Sequence, residues 1–576
     1  MAYDSAASPD VPPFQRRFFG APEPFTRIGD GPVGGKAAGL LFMRGVLGAL
    51  APPGRVQFTI PTLTVLTTEV FERFVQQNGL AELGASEMPD DRIALAFQRG
   101  DLPADLVGDL RALIEQVHTP LAVRSSSLYE DALARPFAGV YATKMIPNNQ
   151  PDADSRFRRL LEAIKFVYAS TYFADARAYR QAVGCPDADR MAVVIQEVVG
   201  RRHGPRFYPD VSGVARSFSF YRAARARPED GVVSLALGLG RTIVDDGVAW
   251  SFSPRFPAAP PPVSSPRELA EVTQMTFWAV NMGQPPEHDP IRETEYLLRA
   301  TLADAEADGP LRYVASTWDA SRDRLTPGVG TRGPRVVDFA PLLALREWPL
   351  NEAVTTLLRG AERAVGQPVE IEFALTIDER ADLVRIGFLQ VRPMMAADEQ
   401  IDLPEADLER VDALVASDMV LGNGTLEGLR DVVYVRPDRF APGQSRAAGA
   451  EIARRNLAAV QDGSPYVLIG FGRWGTADPW LGIPLPWAQV AGARVIVEAT
   501  LGGYSVEMSQ GSHFFHNIAS AGVSYFSVSP PRGRIDWGWL EGRPAVYEGD
   551  FVRHVRLDSP LRVLVDGRSG RGVIIR

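Results

Sequence analysis

Apolar residues recur at helical spacing over residues 37–50, 68–78 and 106–118, which predicts three amphipathic helices in the first fifth of the chain. Between and beyond them lie short runs rich in β-branched and aromatic residues. Residues 57–66 read as one strand, 121–124 as a buried strand end, 191–199 as a short strand, and 217–221 and 232–237 as two more. Residues 369–375 and 383–391 form a hairpin pattern around the charged tip 378–382. Past residue 420, strands are expected at 431–435, 466–469, 494–498, 523–528 and 561–565. Strands alternating with helices across glycine-rich turns indicate an α/β (α+β) fold. Two stretches punctuate it: the proline-rich 258–266, read as a lobe boundary, and the acidic, helix-capable 394–418, read as a connector. No internal repeat is visible.

Composition narrows the picture. A chain of 576 residues with 45% hydrophobic content is too large for one core and predicts roughly three or four domains or lobes. The single cysteine, Cys185, rules out an intramolecular disulfide and a cysteine-built metal site and favours a reducing compartment. Residues 1–24 lack the basic start and apolar core of a signal peptide, and no run of 18 apolar residues occurs, so a soluble cytoplasmic protein without membrane contact is expected. A net charge of −9 argues against nucleic-acid binding, which needs concentrated Lys and Arg.

Three places carry candidate chemistry. Gly34-Gly35-Lys36 opens the first helix after a glycine-dense loop, where N–H groups and the helix dipole favour an anion; an ordinary turn with a surface lysine explains it equally. Arg124 ends an apolar strand and enters Ser125-Ser126-Ser127, so its guanidinium needs an anionic partner, either phosphate or a carboxylate such as Glu130 or Asp131. Glu370 and Glu372 fall on one face of a strand, with Gln390 and Arg392 at the same period on its neighbour. A divalent cation would relieve the repulsion of that carboxylate pair, and a solvated strand face with cross-strand pairs is the alternative.

Together these pieces resemble the nucleotide-binding domain of phosphoenolpyruvate synthase and pyruvate phosphate dikinase, an ATP-grasp fold. The resemblance rests on Gly34-Gly35-Lys36-Ala37-Ala38-Gly39, Val123 to Asp131 with Phe137-Ala138-Gly139, Ile195-Gln196-Glu197-Val198-Val199, Gly238-Leu239-Gly240, Glu370-Ile371-Glu372-Phe373 and Leu389-Gln390-Val391-Arg392-Pro393, in that order over about residues 25–395. It implies that Lys36 and Arg124 hold ATP phosphates, that Gln196, Glu197, Val198 and Val199 border adenine, that Glu372 and Gln390 hold Mg²⁺ with Glu370 beside them, and that Arg392 contacts the transferring phosphates. It divides the chain into a tail (1–24), ATP-grasp N-terminal lobes (25–257), a C-terminal lobe with the metal-binding hairpin (258–395), a linker helix (396–419) and a last domain (420–576). Two departures stand out. Arg241 follows Gly-Leu-Gly where the family commonly has an acidic residue, and 288–349 is longer than a minimal domain needs.

The last domain resembles the family's swivelling phosphohistidine domain in diverged form. Gln510-Gly511-Ser512-His513 is followed by eight residues and then Gly522-Val523, near the spacing of the carrier motif; Gly511 replaces its threonine and Ser524 its proline. Leu421-Gly422-Asn423-Gly424, Asp478-Pro479-Trp480 and Val565-Asp566-Gly567 match other landmarks in order. The resemblance implies a catalytic role for His513 with Arg392 and Arg124: an ATP- and Mg²⁺-dependent phosphotransferase of the dikinase type that relays phosphate through His513 to an unidentified acceptor, a small molecule or a protein. His516 lies on nearly the same helix face. Apolar Phe514, Phe515 and Ile518 equally fit a core helix. Gly472-Arg473-Trp474-Gly475 is a second candidate, for an anion or an aromatic substrate, or simply for packing. No stretch supplies the roughly 250 residues of the pyruvate-binding barrel, so pyruvate is not fixed as acceptor. Direct ATP-dependent transfer or ligation with His513 structural, and an ATP-responsive regulatory module, stand as alternatives, and a homodimer is left open.

Overall fold

The computed structural model describes residues 11–16, 24–85, 88–128, 130, 139–182, 189–219, 226–244, 248–259, 265–394, 401–476, 479–500, 514, 518 and 522–576. Strands Phe25–Ile28, Leu63–Leu66, Met191–Glu197, Leu121–Ser127 and Thr143–Ile146 lie side by side in that order in a first sheet. One face of it carries Val193 and Ile195 into a core shared with the helices Thr68–Gln77, Asp90–Arg99, Ala104–Gln116 and Ala153–Ser170. Ala192 and Val194 point the other way, onto the helix Gly34–Ala49. Burial on both faces accounts for the unbroken apolar run from Met191 to Ile195.

A second, six-stranded sheet runs Trp250–Phe252, Val232–Ala236, Val211–Arg216, Val369–Asp378, Leu383–Pro393, Val56–Thr59 and shares its core with the helices Gly34–Ala49 and Leu350–Val365. The strand expected over 57–66 is therefore two strands in two sheets, Val56–Thr59 and Leu63–Leu66. Pro61, which has no N–H to give a ladder, sits between them where the chain crosses over. No strand forms at 217–219. Ser217 Oγ accepts the Val369 N–H at 2.9 Å, so a side chain closes the ladder at Arg216, the last residue of Val211–Arg216. Residues 288–349 contribute to a four-stranded sheet (Leu297–Thr301, Thr276–Asn281, Arg206–Tyr208, Arg201–His203) and a three-stranded one around Ala315–Asp319.

The C-terminal unit is built on a ten-stranded sheet. Its centre is parallel: Gly424–Val435, Tyr466–Phe471, Ala493–Ala499 and Ser524–Val528, with the helix Ser445–Gln461 crossing between the first two. The expected linker helix over 396–419 is absent from the described residues 401–419. They hold a 3₁₀ turn, Glu405–Glu409, and a strand, Ala413–Ser417, that pairs with Arg571–Ile575 inside this sheet. Between Asp412 and Asp418 no residue is charged, and the fully buried Ala413–Ser417 behaves as an interior strand. The two units are not separate cores. Ala176 and Tyr179 of the helix Ala174–Ala182 belong to the same apolar cluster as Trp487 and Val490, and that helix lies against the turn Trp487–Gln489.

Candidate nucleotide site

The strand Leu121–Ser127 extends three residues beyond the sequence-based expectation, taking in all three serines. Each is buried and occupied. Ser126 Oγ donates to Val33 O at 2.9 Å and accepts the Ala37 N–H at 3.1 Å, so it caps the helix Gly34–Ala49 from a strand about ninety residues away. One of the N–H groups of that helix start, that of Ala37, is thus already taken by Ser126. A Cβ on Gly34 would stand 1.7 Å from Ser126 O, and one on Gly35 1.7 Å from Glu130 O; the glycines exist so that helix and strand backbones can touch. Lys36, 6% exposed, donates to Glu130 Oε1 at 3.0 Å, Ser125 O at 2.9 Å and Ser125 Oγ at 3.4 Å. Glu130 in turn accepts from Ser125 Oγ and the Ser127 N–H. Its partner is thus Lys36, not Arg124.

Arg124 reaches across to the hairpin instead. Its guanidinium donates to Gln390 Oε1 at 2.8 Å, Leu389 O at 2.8 Å, Gln196 Oε1 at 3.3 Å and Glu372 Oε2 at 3.4 Å. The Leu389 carbonyl is available because the hairpin register jumps from Glu372↔Gln390 to Phe373↔Phe388, leaving Leu389 as the extra residue of a bulge. Glu370 and Glu372 do share a face, and Arg392 forks between them, Nη1 to Glu370 Oε1 and Nη2 to Glu372 Oε1, each at 3.1 Å. Arg216 Nε reaches Glu370 Oε2 at 2.6 Å from the neighbouring strand. Arg216, Glu370 and Arg392 are in register across three strands, so the carboxylate repulsion is answered by guanidinium groups. Glu370, 3% exposed, sits behind the wall as support.

These elements enclose a cavity of about 450 Å³ between the two sheets. Lys36, Arg124, Gln196, Glu197, Val198, Val199, Glu372, Gln390 and Arg392 all line it; among the residues expected to hold nucleotide or metal, Glu370 does not. One end is polar, around Arg124 and Arg392. The other is apolar, with Val198, Met145, Leu239 and Leu297 in one small cluster. At that end the Glu197 and Val198 N–H groups are already given to Thr62 O and Pro120 O, each at 2.9 Å. Burial raises the Glu197 carboxyl above its ordinary value. Tyr141, part of the cavity wall, donates to Asp189 at 2.8 Å, and burial pushes the Asp189 carboxyl up to about 6.

The sequence model of the pyruvate phosphate dikinase AMP/ATP-binding domain matches residues 31–411, a span that contains every one of these cavity residues. The chain belongs to that family. A comparison with curated proteins gives no match. In this dikinase-family chain the mixed α/β architecture is the ATP-grasp-type fold that the resemblance implied. The departure at Arg241 now has a structural account: Arg241 lines the cavity and pairs at 3.4 Å with Glu293, from the long 288–349 segment, so a carboxylate stands at that edge after all. Glu293 and the supporting Arg216 were missed from sequence, since neither lies in a periodic pattern or motif. No helix among the described residues is long and apolar enough to cross a membrane.

The C-terminal candidates fare differently. Gln510 to His513 and His516 lie outside the described residues, as do Asp131, Phe137 and Ala138. Phe514 and Ile518 are buried in the apolar core, Phe514 beside Trp487. Trp474 is wholly buried and donates its indole N–H to Val497 O at 3.3 Å, so the Gly472–Gly475 loop packs the core and offers no face to an aromatic substrate.

Proposed function

We propose that this chain is a Mg²⁺- and ATP-dependent phosphotransferase of the dikinase type, acting in the cytoplasm, that relays phosphate through His513 to an acceptor which is a small molecule or another protein. The observation that carries the nucleotide half is the convergence of Arg124, Gln196, Glu372, Gln390 and Arg392, from two sheets, on one cavity with an apolar end. In it the guanidinium groups of Arg124 and Arg392 would bind the phosphates, while the wall at Gln196 to Val199 would bound the base. Lys36 would join them only by giving up or sharing Glu130.

The donor set suits Mg²⁺. Glu372 Oε2 and Gln390 Oε1 face a common point, now taken by the Arg124 Nη2 cation at 3.4 and 2.8 Å, and no larger group of His, Cys, Asp or Glu converges among the described residues. The ion would take these two oxygens, complete its shell with phosphate oxygens and water, and neutralise developing phosphate charge. In the relay, a nitrogen of the His513 ring would replace the oxygen bridging two phosphoryl groups, and the acceptor would then displace that nitrogen. Incubation with γ- and β-labelled ATP tests it: acid-labile, base-stable label on the peptide containing His513 is expected. Label that never appears on protein would leave direct transfer or a regulatory role, a reading that the shared apolar core around Tyr179 and Trp487 favours.

A further inference from the structure

The Arg241–Glu293 pair lines the cavity, and its surroundings say which part of a ligand it would meet. Glu293 Oε1 accepts the Thr143 N–H at 3.1 Å, while its Oε2 faces Arg241 at 3.4 Å. Arg241 lies over the Trp278 ring, 5.6 Å from its centroid, and Arg299 lies over the same ring. The carboxylate is thereby held from two sides while still about one-third exposed to the cavity. Thr143 is the cross-strand partner of Arg124, at the phosphate end; two residues along the same strand, Met145 belongs to the apolar cluster at the base end. A ligand spanning those ends places its linking moiety against Glu293.

We infer that Glu293, fixed by Arg241 and the Thr143 N–H, accepts hydrogen bonds from the vicinal ribose hydroxyls of the nucleotide and makes the site selective for ribonucleotides. The inference rests on the ATP reading above. An anchored carboxylate has acceptor oxygens only and suits a pair of O–H donors, whereas it repels phosphate. Arg241 lines the same cavity and is paired with that carboxylate, so the edge carries both signs of charge. Glu293→Gln keeps the shape and replaces one acceptor by a donor.

The experiment is isothermal titration of the full-length chain with Mg-ATP and with Mg-2′,3′-dideoxy-ATP, for the wild type and for Glu293→Gln. A charge-assisted hydrogen bond should make the wild type prefer ATP by roughly tenfold or more, and the substitution should bring the ratio close to one. Glu293→Asp, which shortens but retains the carboxylate, should recover part of the preference, and thermal melts without nucleotide will report folding of each variant. A wild type that binds both nucleotides equally, or a Glu293→Gln variant that keeps the preference, overturns the assignment while leaving ATP binding in place. A wild type that binds neither nucleotide removes the ATP reading and this assignment with it.

Discussion

Lys36 and Arg124 are two cations on one wall, and their surroundings predict opposite consequences of losing them. Lys36 and Glu130 form a buried pair. Lys36→Met leaves that carboxylate with only Ser125 and Ser127, and should lower stability toward the lower end of the ~3–5 kcal/mol seen when a buried pair is broken; urea unfolding will measure it. Arg124 holds groups that a ligand can replace, so Arg124→Ala, like Glu372→Ala, should leave the fold intact while weakening Mg-ATP binding by about 1.5–3 kcal/mol, roughly tenfold to a hundredfold by calorimetry. Asp189 adds a pH dependence. Its folded pKa of about 6 lies above the ordinary 3.8, so the native state holds the extra proton between about pH 4 and 6 and stability falls as pH rises through that window. Asp189→Asn, which can still accept from Tyr141, should flatten the fall in urea curves taken across it. Motif order and strand period made the site's ends legible in sequence. The pairing of Lys36 with Glu130, the Leu389 bulge and Glu293 were not, because each depends on which distant backbone comes alongside.

Elements were legible where a buried face imposed its period, as in the hairpin Val369–Asp378 and Leu383–Pro393 or the central strand Met191–Glu197. They were misread where a single residue decides the path: Pro61 divides one apolar run between two sheets, Ser217 closes a ladder with its side chain, and an acidic approach hides an interior strand at Ala413–Ser417. The Gly34-Gly35 contact yields the prediction at this scale. Gly35→Ala places a methyl group 1.7 Å from the Glu130 carbonyl, so the helix must move away from the backbone that follows the serine strand. The cost should sit at or above the upper end of ~1–3 kcal/mol for overpacking, and Mg-ATP affinity should fall with it because Lys36 and Arg124 ride on those two elements. Gly45→Ala, on the same helix with no atom within 4 Å of the added methyl, is the control and should be neutral or stabilising in a thermal melt.

For the whole molecule, the question is whether the C-terminal unit swings. With Ala413–Ser417 inside the C-terminal sheet, and Leu403 and Leu408 packed on Ala416 and Val573, the chain from Leu403 onward moves with the C-terminal unit and supplies no hinge. The core shared by Tyr179 and Trp487 opposes the motion, and a relay through His513 must part it. Small-angle scattering should therefore change on adding Mg-ATP, and Trp487→Ala, which thins the seam, should ease cleavage between the units by protease. Coincident profiles with and without nucleotide would favour the fixed assembly. The Ser126 cap carries a different consequence, one of time. The helix Gly34–Ala49 has no side-chain cap of its own, and its first turn is completed by residues that leave the ribosome some ninety positions later. Until Ser126 and Glu130 have been synthesised and the strand that bears Ser126 has docked, the N-terminal segment has a helix without a beginning. The order in which this chain acquires structure therefore differs from the order in which it is made, with the nucleotide wall closing only after a long loop has been gathered in.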